Sequence, residues 1–297
     1  MRVDDHFQRS NRGPVISFEF SRPKSEEAAA NLDKALVNLK AMDPDYVSVT
    51  FGAGGSTRDG SIQLVDKLKN QFGFEVVAYI AGVGLAPGQL SEVLDRYRDL
   101  HIETMFVIRG DAPTWEDSYE PHPEALAHAS DMIAFIRDRY DFCLGAAGYP
   151  EGHLEAESQA LDIDYLKLKV DNGARYIVAQ YFYDNSYFFD FLDRCRAAGI
   201  TVPVIPGIMP IYSVKLMENL ARICGVTIVD EIRQGLAKLP PDDKQAVAAF
   251  GQELAIRQCR DLLQRGVEGL HFYTMNRANS VVAILEALRV EGYSLPG

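Results

Sequence analysis

The sequence predicts an α/β protein whose single domain is a closed (β/α)8 barrel, a TIM barrel, and three observations support this. Eight short apolar runs recur along the chain, and segments with helical spacing separate them. Strict alternation of strand and helix is typical of parallel sheets, and eight repeats within 297 residues fit a closed barrel. No repeat, low-complexity segment or Pro/Ser-rich linker divides the chain. We therefore expect a disordered start at 1–12 and one barrel domain at 13–297.

The predicted elements follow in order from the spacing of apolar residues. The strands are expected at 15–20, 46–51, 75–80, 103–108, 142–147, 175–180, 202–206 and 268–273. Leu32 and Leu36 lie at helical spacing after the first strand, and Ser25 before two glutamates is a candidate helix cap. Ser91 is a second candidate cap. The longest gap, between strands seven and eight, contains extra helical material around 241–265.

The composition is that of an ordinary globular protein and argues against several classes of function. Hydrophobic residues make up 47% and charged residues 24%, and the formal net charge is −12 without any Lys/Arg-rich run. Nucleic acid and anionic membranes are therefore not expected partners. The polar N-terminus predicts no secretory signal, and no apolar run could span a bilayer. Four widely spaced cysteines, with no C-x-x-C pair, predict reduced thiols, no metal site and a cytoplasmic location.

Glu19 is the leading catalytic candidate. It lies in the first predicted strand, where alternation places Ser17 and Glu19 on one face and Phe18 and Phe20 on the other. A carboxyl group at a strand end among aromatic side chains is suited to donate a proton near neutrality. The alternative is an edge-strand glutamate that faces solvent.

Polar, glycine and aromatic residues recur where the predicted strands end, which is where barrel enzymes carry their active sites. The turn 52–55, Gly-Ala-Gly-Gly, matches neither the Rossmann nor the P-loop pattern, and it predicts close approach to a ligand or a simple tight turn. In Arg109-Gly-Asp111 we expect a fixed carboxylate and a cation for phosphate or carboxylate, with a loop ion pair as the alternative. His153, among glutamates, matches no recognised metal-ligand spacing. The pattern favours an enzyme.

Eight collinear segments, from about residue 15 to 290, resemble the methylenetetrahydrofolate reductase family. The segments are Phe-Glu-Phe at 18–20, Val-Ser-Val-Thr-Phe-Gly-Ala at 47–53, Arg-Gly-Asp at 109–111, Tyr-Pro-Glu-Gly-His at 149–153, Lys-x-Lys-Val-Asp-x-Gly-Ala at 167–174, Gln-Tyr-Phe-Tyr-Asp at 180–184, Ile-Pro-Gly-Ile-Met-Pro at 205–210 and His-Phe-Tyr-Thr-Met-Asn-Arg at 271–277.

The resemblance implies a flavoprotein of one-carbon metabolism and methionine biosynthesis that holds FAD on the barrel. Its reaction would be the reversible, ping-pong reduction of 5,10-methylenetetrahydrofolate to 5-methyltetrahydrofolate, with NADH or NADPH as electron donor. Glu19 would protonate the folate at N10, and Asp111 would lie near the flavin and bond the pterin. Gln180 would contact nicotinamide and folate, Arg277 would bind folate, and the chain would form a homo-oligomer. The positions that match the family's FAD contacts are Thr50, Phe51, Ala53, Tyr79, Arg109, Gly110, Asp111, Ala129, Tyr149, His153, Ala156, Asp162 and Lys169.

The chain departs from the family pattern in three places. After Phe-Glu-Phe the family usually continues with Phe-Pro-Pro, whereas Ser21-Arg22-Pro23 follows here. The family's His at the end of strand three is Tyr79 here, and its neighbouring Thr is Ala81. Tyrosine can donate a hydrogen bond but carries no positive charge near neutrality. Tyr165 and Leu168 stand where the family's FAD-contacting helix carries polar side chains. We expect these changes to weaken flavin binding, alter its potential or change the approach of the nicotinamide.

Two other functions remain open from the sequence. One is a folate-binding or partner-dependent subunit that does not accept electrons from NAD(P)H directly. The other is a barrel flavoenzyme with a different substrate, similar to proline dehydrogenase. The pair Gln180 and Arg277 favours folate over the second alternative.

Overall fold

Eight parallel strands close into a barrel in chain order, and the last strand pairs with the first. The computed structural model describes residues 2–9, 13–51, 55–111, 120–240 and 243–296, and the side chains of 55–57 lie outside this description. The strands are β1 (Val15–Phe20), β2 (Tyr46–Val49), β3 (Val76–Ala81), β4 (Thr104–Ile108), β5 (Cys143–Gly148), β6 (Ala174–Tyr181), β7 (Val204–Ile208) and β8 (Gly269–Tyr273). The predicted (β/α)8 fold is confirmed.

The described helices follow the strands around the outside of the barrel, except the first, which precedes β1. They are α1 (Val3–Phe7), α2 (Glu26–Lys40), α3 (Gly55–Asp66), α4 (Pro87–Asp99), α5 (Ala129–Arg137), α6 (Gln159–Asp171), α7 (Asn185–Ala197), α8 (Val214–Cys224), α9 (Asp230–Ala237), α10 (Lys244–Gln264) and α11 (Asn279–Val290). A π-helical turn over Lys67–Gln71 continues α3. None of the helices in the described ranges combines the length and the apolar character needed to cross a bilayer.

The element boundaries agree with the sequence prediction except in a few places. Ser25 caps α2 as expected, since the Ala28 backbone N–H donates to its hydroxyl oxygen at 3.1 Å. Ser91 is not a cap, because α4 begins at Pro87, where proline suits the first helical turn. β2 ends at Val49, short of the predicted residue 51.

The start of the chain differs from the expected disorder over residues 2–9, which include the helix α1. Val3 is fully buried and its backbone N–H donates to the Thr104 hydroxyl at 3.2 Å, at the first residue of β4. His6 is also buried, with Nδ1 3.4 Å from the Asp45 carboxylate just before β2. The segment is largely polar, so no helical pattern was visible there in the sequence. Its apolar and aromatic side chains nevertheless close the N-terminal end of the barrel.

The barrel interior is filled by aromatic rings rather than by solvent. Tyr79 stacks on Phe106 at a centroid distance of 4.5 Å, and Phe106 in turn contacts Tyr176 at 6.2 Å. Tyr176 contacts Tyr46 at 6.4 Å, so the row of rings continues toward the N-terminal end. The opposite strand faces, such as that of Phe18, pack under the helices. With the interior filled, the C-terminal ends of the strands are the expected place for a ligand, as in other (β/α)8 barrels.

Candidate functional site

Glu19 points into the C-terminal end of the barrel, as the alternation of β1 predicted. Its side chain is 17% exposed, and the Tyr79 hydroxyl donates a hydrogen bond to its Oε2 at 2.8 Å. His271 of β8 approaches the same oxygen, with Nε2 at 4.0 Å. Three strands therefore bring one acid, one phenol and one imidazole together.

A serine below the acid holds the imidazole. Ser17 Oγ lies 2.8 Å from His271 Nδ1, and both residues are almost completely buried. Within the described part of the chain, His271 Nε2 has no hydrogen-bond partner, and Glu19 is the group it faces. We call Ser17, Glu19, Tyr79 and His271 the acid cluster. Sequence analysis assigned no role to His271, although it opens the family segment at 271–277.

Two residues after β8 fix the end of β1. The Thr274 hydroxyl donates to the Glu19 carbonyl oxygen at 2.6 Å. Asn276 Nδ2 donates to the Ser21 carbonyl at 2.8 Å, and the Ser21 N–H donates back to Asn276 Oδ1 at 2.9 Å. Asn276 has a φ of 58°, in the left-handed region that asparagine tolerates better than most residues. We call Thr274 and Asn276 the β1–β8 clamp, which sequence analysis missed.

A cavity of about 420 Å³ opens beside the ends of β4 and β5, against α5 and α6, and we call it the β4–β5 cavity. Its volume lies within the range of small-molecule sites. Nine of the thirteen positions expected to bind FAD line it, namely Arg109, Gly110, Asp111, Ala129, Tyr149, His153, Ala156, Asp162 and Lys169. The structure therefore brings most of the predicted set together from four separate elements.

Three of the remaining four positions lie elsewhere. Thr50 and Phe51 follow β2 and do not line the β4–β5 cavity, and Phe51 packs partly into the core. Tyr79 belongs to the acid cluster. Ala53 lies outside the described residues, as does most of the glycine-rich turn.

A lysine and an aspartate share the β4–β5 cavity wall. The Lys169 ammonium donates to the Ala147 carbonyl at 3.2 Å, and burial lowers the pKa of Lys169 while the charge of Asp162 raises it. Burial likewise raises the pKa of Asp162, opposed by the hydrogen bond from the His153 N–H at 3.2 Å. Both groups are thus held where their charged forms are poorly solvated.

Arg109 is engaged by an acid that sequence analysis missed. Its guanidinium binds Glu155 through two hydrogen bonds, at 2.5 Å and 3.0 Å, and this contact lowers the pKa of Glu155. The expected alternative, a loop ion pair at Arg109, is therefore present, but its main partner is Glu155. Asp111 Oδ1 lies 4.0 Å from Arg109, and the Asp111 side chain is 95% exposed. Gly110 between them has a φ of 81°, which favours glycine.

Apolar and aromatic surfaces also line the β4–β5 cavity. Tyr165 is 55% exposed and Leu168 is 45% exposed, an unusual exposure for large side chains on α6. The rings of Tyr149 and His153 meet edge to face at 4.6 Å. Cations, a carbonyl-lined wall and exposed apolar faces together suit a ligand that carries both a negative group and a planar ring.

Of the three predicted folate contacts, Asp111 lines the β4–β5 cavity, whereas Gln180 and Arg277 lie outside it around the same end of the barrel. Gln180, near the end of β6, accepts a hydrogen bond from the Tyr181 N–H at 3.0 Å. Arg277 is exposed after β8, with its guanidinium 5.1 Å from the Tyr212 ring centroid. Burial raises the pKa of the Cys224 thiol, and the carboxylates of Asp111 and Glu19 raise it further.

The aromatic run Tyr181, Phe182 and Tyr183 is buried and belongs to the core. In the described ranges, no three His, Cys, Asp or Glu side chains form a group that could hold a metal ion.

Comparison with known families decides the relationship of the chain. The profile described as methylenetetrahydrofolate reductase matches residues 2–289. The chain belongs to the methylenetetrahydrofolate reductase family. The 5,10-methylenetetrahydrofolate reductase of Escherichia coli is 33% identical over 275 residues, which cover 93% of this chain and 90% of that protein.

Plant members of the methylenetetrahydrofolate reductase family are longer. Methylenetetrahydrofolate reductase (NADH) 1 of Arabidopsis thaliana is 35% identical over 282 residues, which cover 91% of this chain and 48% of the plant protein. The probable methylenetetrahydrofolate reductase (NADH) of Oryza sativa is 34% identical, with 47% of its length covered. The chain thus spans about half the length of these plant relatives.

Among solved structures, the fold is shared with an uncharacterised protein from Clostridium thermocellum that binds two copies of 5-methyl-5,6,7,8-tetrahydrofolic acid. The TM-score is 0.66 at 17% identity, and the match covers 98% of this chain and all of that one. At this identity the likeness shows the barrel fold alone.

Proposed function

We propose that the chain reduces 5,10-methylenetetrahydrofolate to 5-methyltetrahydrofolate, with FAD as cofactor and a nicotinamide nucleotide as electron donor in a ping-pong cycle. Glu19 is the general acid of the folate half-reaction in this proposal. Family membership supports the substrate, and the names of the plant relatives favour NADH as donor.

The observation that carries the proposal is the position of the Glu19 carboxyl group. Its side chain is 17% exposed at the open end of a barrel whose interior is otherwise packed with rings. An acid that is partly desolvated yet reachable from outside can pass a proton to a bound substrate. Protonation of the folate at N10 by Glu19 opens the five-membered ring to an iminium ion that can accept hydride.

The residues around the β4–β5 cavity fit a flavin dinucleotide in their chemistry. Lys169, Arg109 and His153 could hold its pyrophosphate and ribose, and the small side chains of Ala129 and Ala156 permit close approach. FAD, when bound, would supply the transfer of hydride from the nicotinamide nucleotide to the folate. Arg109 is bound to Glu155, so an anion at Arg109 would have to displace that carboxylate.

The remaining predicted residues would bind and orient substrates. Asp111 is exposed at the edge of the β4–β5 cavity, where its carboxylate could accept hydrogen bonds from a pterin ring. Arg277 is exposed and suits the carboxylates of the folate tail. The side-chain amide of Gln180 could bind either the nicotinamide or the folate. Its oxygen would then give up the hydrogen bond that it accepts from the Tyr181 N–H.

Spectroscopy of the purified protein tests the proposal. We expect flavin absorbance after purification or reconstitution with FAD, anaerobic bleaching by NADH or NADPH, and reoxidation by methylenetetrahydrofolate. A protein that binds no flavin after reconstitution contradicts the proposal. Retained folate binding without bleaching by either nucleotide would instead support the partner-dependent alternative, and parallel titrations with the two nucleotides identify the donor.

A further inference from the structure

Tyr79 stands where the resemblance implied a flavin contact, yet it does not line the β4–β5 cavity. Its hydroxyl donates to Glu19 Oε2 at 2.8 Å. Its ring is 6% exposed and stacks on Phe106 at 4.5 Å. A stacked, buried ring holds its hydroxyl in one direction, so this donor is aimed at the acid.

We propose that Tyr79 is a positioning residue that acts through Glu19, holding one carboxyl oxygen so that the transferable proton resides on the other. This inference rests on the proposed role of Glu19 as general acid. It assigns to Tyr79 a function in folate protonation rather than in cofactor binding.

The geometry of the carboxyl group supports this role. The one hydrogen bond described for the Glu19 carboxyl group comes from Tyr79 and falls on Oε2, and His271 Nε2 faces the same oxygen at 4.0 Å. An oxygen that accepts a hydrogen bond is the less favourable site for a proton of its own. The proton of the neutral acid therefore resides on Oε1, the oxygen left for the substrate.

The phenol remains a donor throughout the working range of pH. Burial raises the pKa of Tyr79 well above its usual value, and the nearby charge of Glu19 raises it further. Tyr273, the other phenol near the acid, also has a pKa raised by burial and by Glu19, but its hydroxyl donates to the Ala179 carbonyl at 3.1 Å. His271 of β8 also faces Glu19, and the charge of Glu19 raises the pKa of the thiol of Cys224, the last residue of α8.

Infrared titration of the protein without added cofactor tests the inference directly. The carboxyl stretching band of Glu19 is assigned as the band lost in Glu19→Gln. In Tyr79→Phe we expect its titration midpoint to move up by about one pH unit, because a hydrogen bond to a charged group favours the ionised form. The C=O stretching band of the protonated form should move to higher wavenumber, because Oε2 is then the carbonyl oxygen and loses the hydrogen bond from Tyr79. An unchanged midpoint overturns the proposal.

Matched variants separate the hydrogen bond from general effects of substitution. Tyr273→Phe removes a second buried hydroxyl near the acid and should leave the Glu19 midpoint where it is. Tyr79→His restores a donor and should return the midpoint most of the way to the wild-type value. If Tyr79→Phe fails to fold, 3-fluorotyrosine at position 79 keeps the ring and strengthens the donor, so the midpoint should move down. Equal midpoints in the Phe and His variants, or no shift with 3-fluorotyrosine, contradict the proposal.

The kinetic consequence separates this inference from the proposed function. Tyr79→Phe should slow flavin reoxidation by the folate about tenfold at neutral pH. The alkaline limb of the pH profile of this rate should move to higher pH. Flavin reduction by NADH should change less than about twofold. If Glu19→Gln leaves folate reduction intact, the proposed function fails. If Glu19→Gln abolishes folate reduction but the alkaline limb of the pH profile is the same in Tyr79→Phe as in the wild type, only the role of Tyr79 fails.

Discussion

The acid cluster and the β4–β5 cavity lie at the same end of the barrel, yet they are built in different ways. The acid cluster comes from strands, is nearly buried, and is joined by short hydrogen bonds such as that from Tyr79 to Glu19. The cavity is formed largely by loops and helices and is lined by charged groups, among them Arg109 and the 95% exposed Asp111. Strands fix atoms more rigidly than loops do, so the first arrangement suits proton transfer and the second suits ligand binding.

This difference predicts that substitutions in the two regions affect different measurements. A change in the acid cluster should alter the rate of folate reduction at full cofactor occupancy. A change in the β4–β5 cavity should alter the cofactor occupancy but not the rate of folate reduction by the enzyme that has cofactor bound. The following variants test that separation, beginning with the largest expected effect.

Glu19→Gln removes the proposed proton donor while keeping the shape of the side chain. We expect flavin reoxidation by methylenetetrahydrofolate to fall about a thousandfold, because general acid catalysis is lost. Flavin reduction by NADH should change less than about twofold, since it needs no proton from Glu19. Anaerobic stopped-flow absorbance measures both half-reactions, and equal losses in the two would remove Glu19 from its role.

Lys169→Met should weaken FAD binding by roughly tenfold to a hundredfold, the range expected for a charged hydrogen bond. Burial lowers the pKa of Lys169, so wild-type affinity should decrease as the pH rises through that lowered value and the ammonium loses its proton. The difference in FAD affinity between the wild type and Lys169→Met should therefore become smaller at alkaline pH.

Calorimetric titration with FAD at several pH values gives these affinities. Lys167→Met is the matched control, because Lys167 lies on the same helix but pairs with Asp171. If both lysine variants lose affinity equally, the effect comes from net charge and Lys169 does not contact the cofactor.

Thr274→Val breaks the β1–β8 clamp without changing side-chain volume much. Its hydroxyl donates to the Glu19 carbonyl at 2.6 Å, so its loss should let the acid move and slow folate reduction about tenfold. The free energy of unfolding should fall by about 1 kcal/mol, because a partly buried carbonyl loses its donor. Stopped-flow kinetics and denaturant unfolding measure the two effects. A weaker FAD affinity with an unchanged rate of folate reduction would contradict the prediction.

Glu155→Gln should strengthen FAD binding, by about threefold to fivefold, because it removes a carboxylate that competes for Arg109. Glu157→Gln removes an exposed charge from the same loop and should have little effect. Fluorescence titration with FAD gives both constants. Weaker binding in Glu155→Gln would mean that Glu155 helps to hold the cofactor instead of competing with it.

The sequence predicted the fold and the direction of Glu19 because both depend on local regularities. Alternation along β1 placed Glu19 inside, and eight apolar runs marked the eight strands within a few residues of their observed bounds. The resemblance to the family also selected nine positions that meet in one cavity.

The sequence did not predict contacts that depend on distant parts of the chain. Thr274 reaches Glu19 across 255 positions, Glu155 reaches Arg109 across 46, and Tyr79 reaches Glu19 across 60. Their partners are set by strand register and loop geometry, neither of which leaves a periodic signal. The ordered N-terminal residues were missed for the same reason, since Val3 is buried only against the assembled barrel.

One measurement tests most directly whether the β4–β5 cavity serves cofactor binding and the acid cluster serves the chemical step. It is the rate of flavin reoxidation by methylenetetrahydrofolate in Lys169→Met and in Glu19→Gln as the FAD concentration is raised. The account predicts that Lys169→Met reaches the wild-type rate once FAD saturates it, whereas Glu19→Gln remains about a thousandfold slow at every FAD concentration. A Lys169→Met enzyme that stays slow at saturation, or a Glu19→Gln enzyme that excess FAD restores, would contradict it.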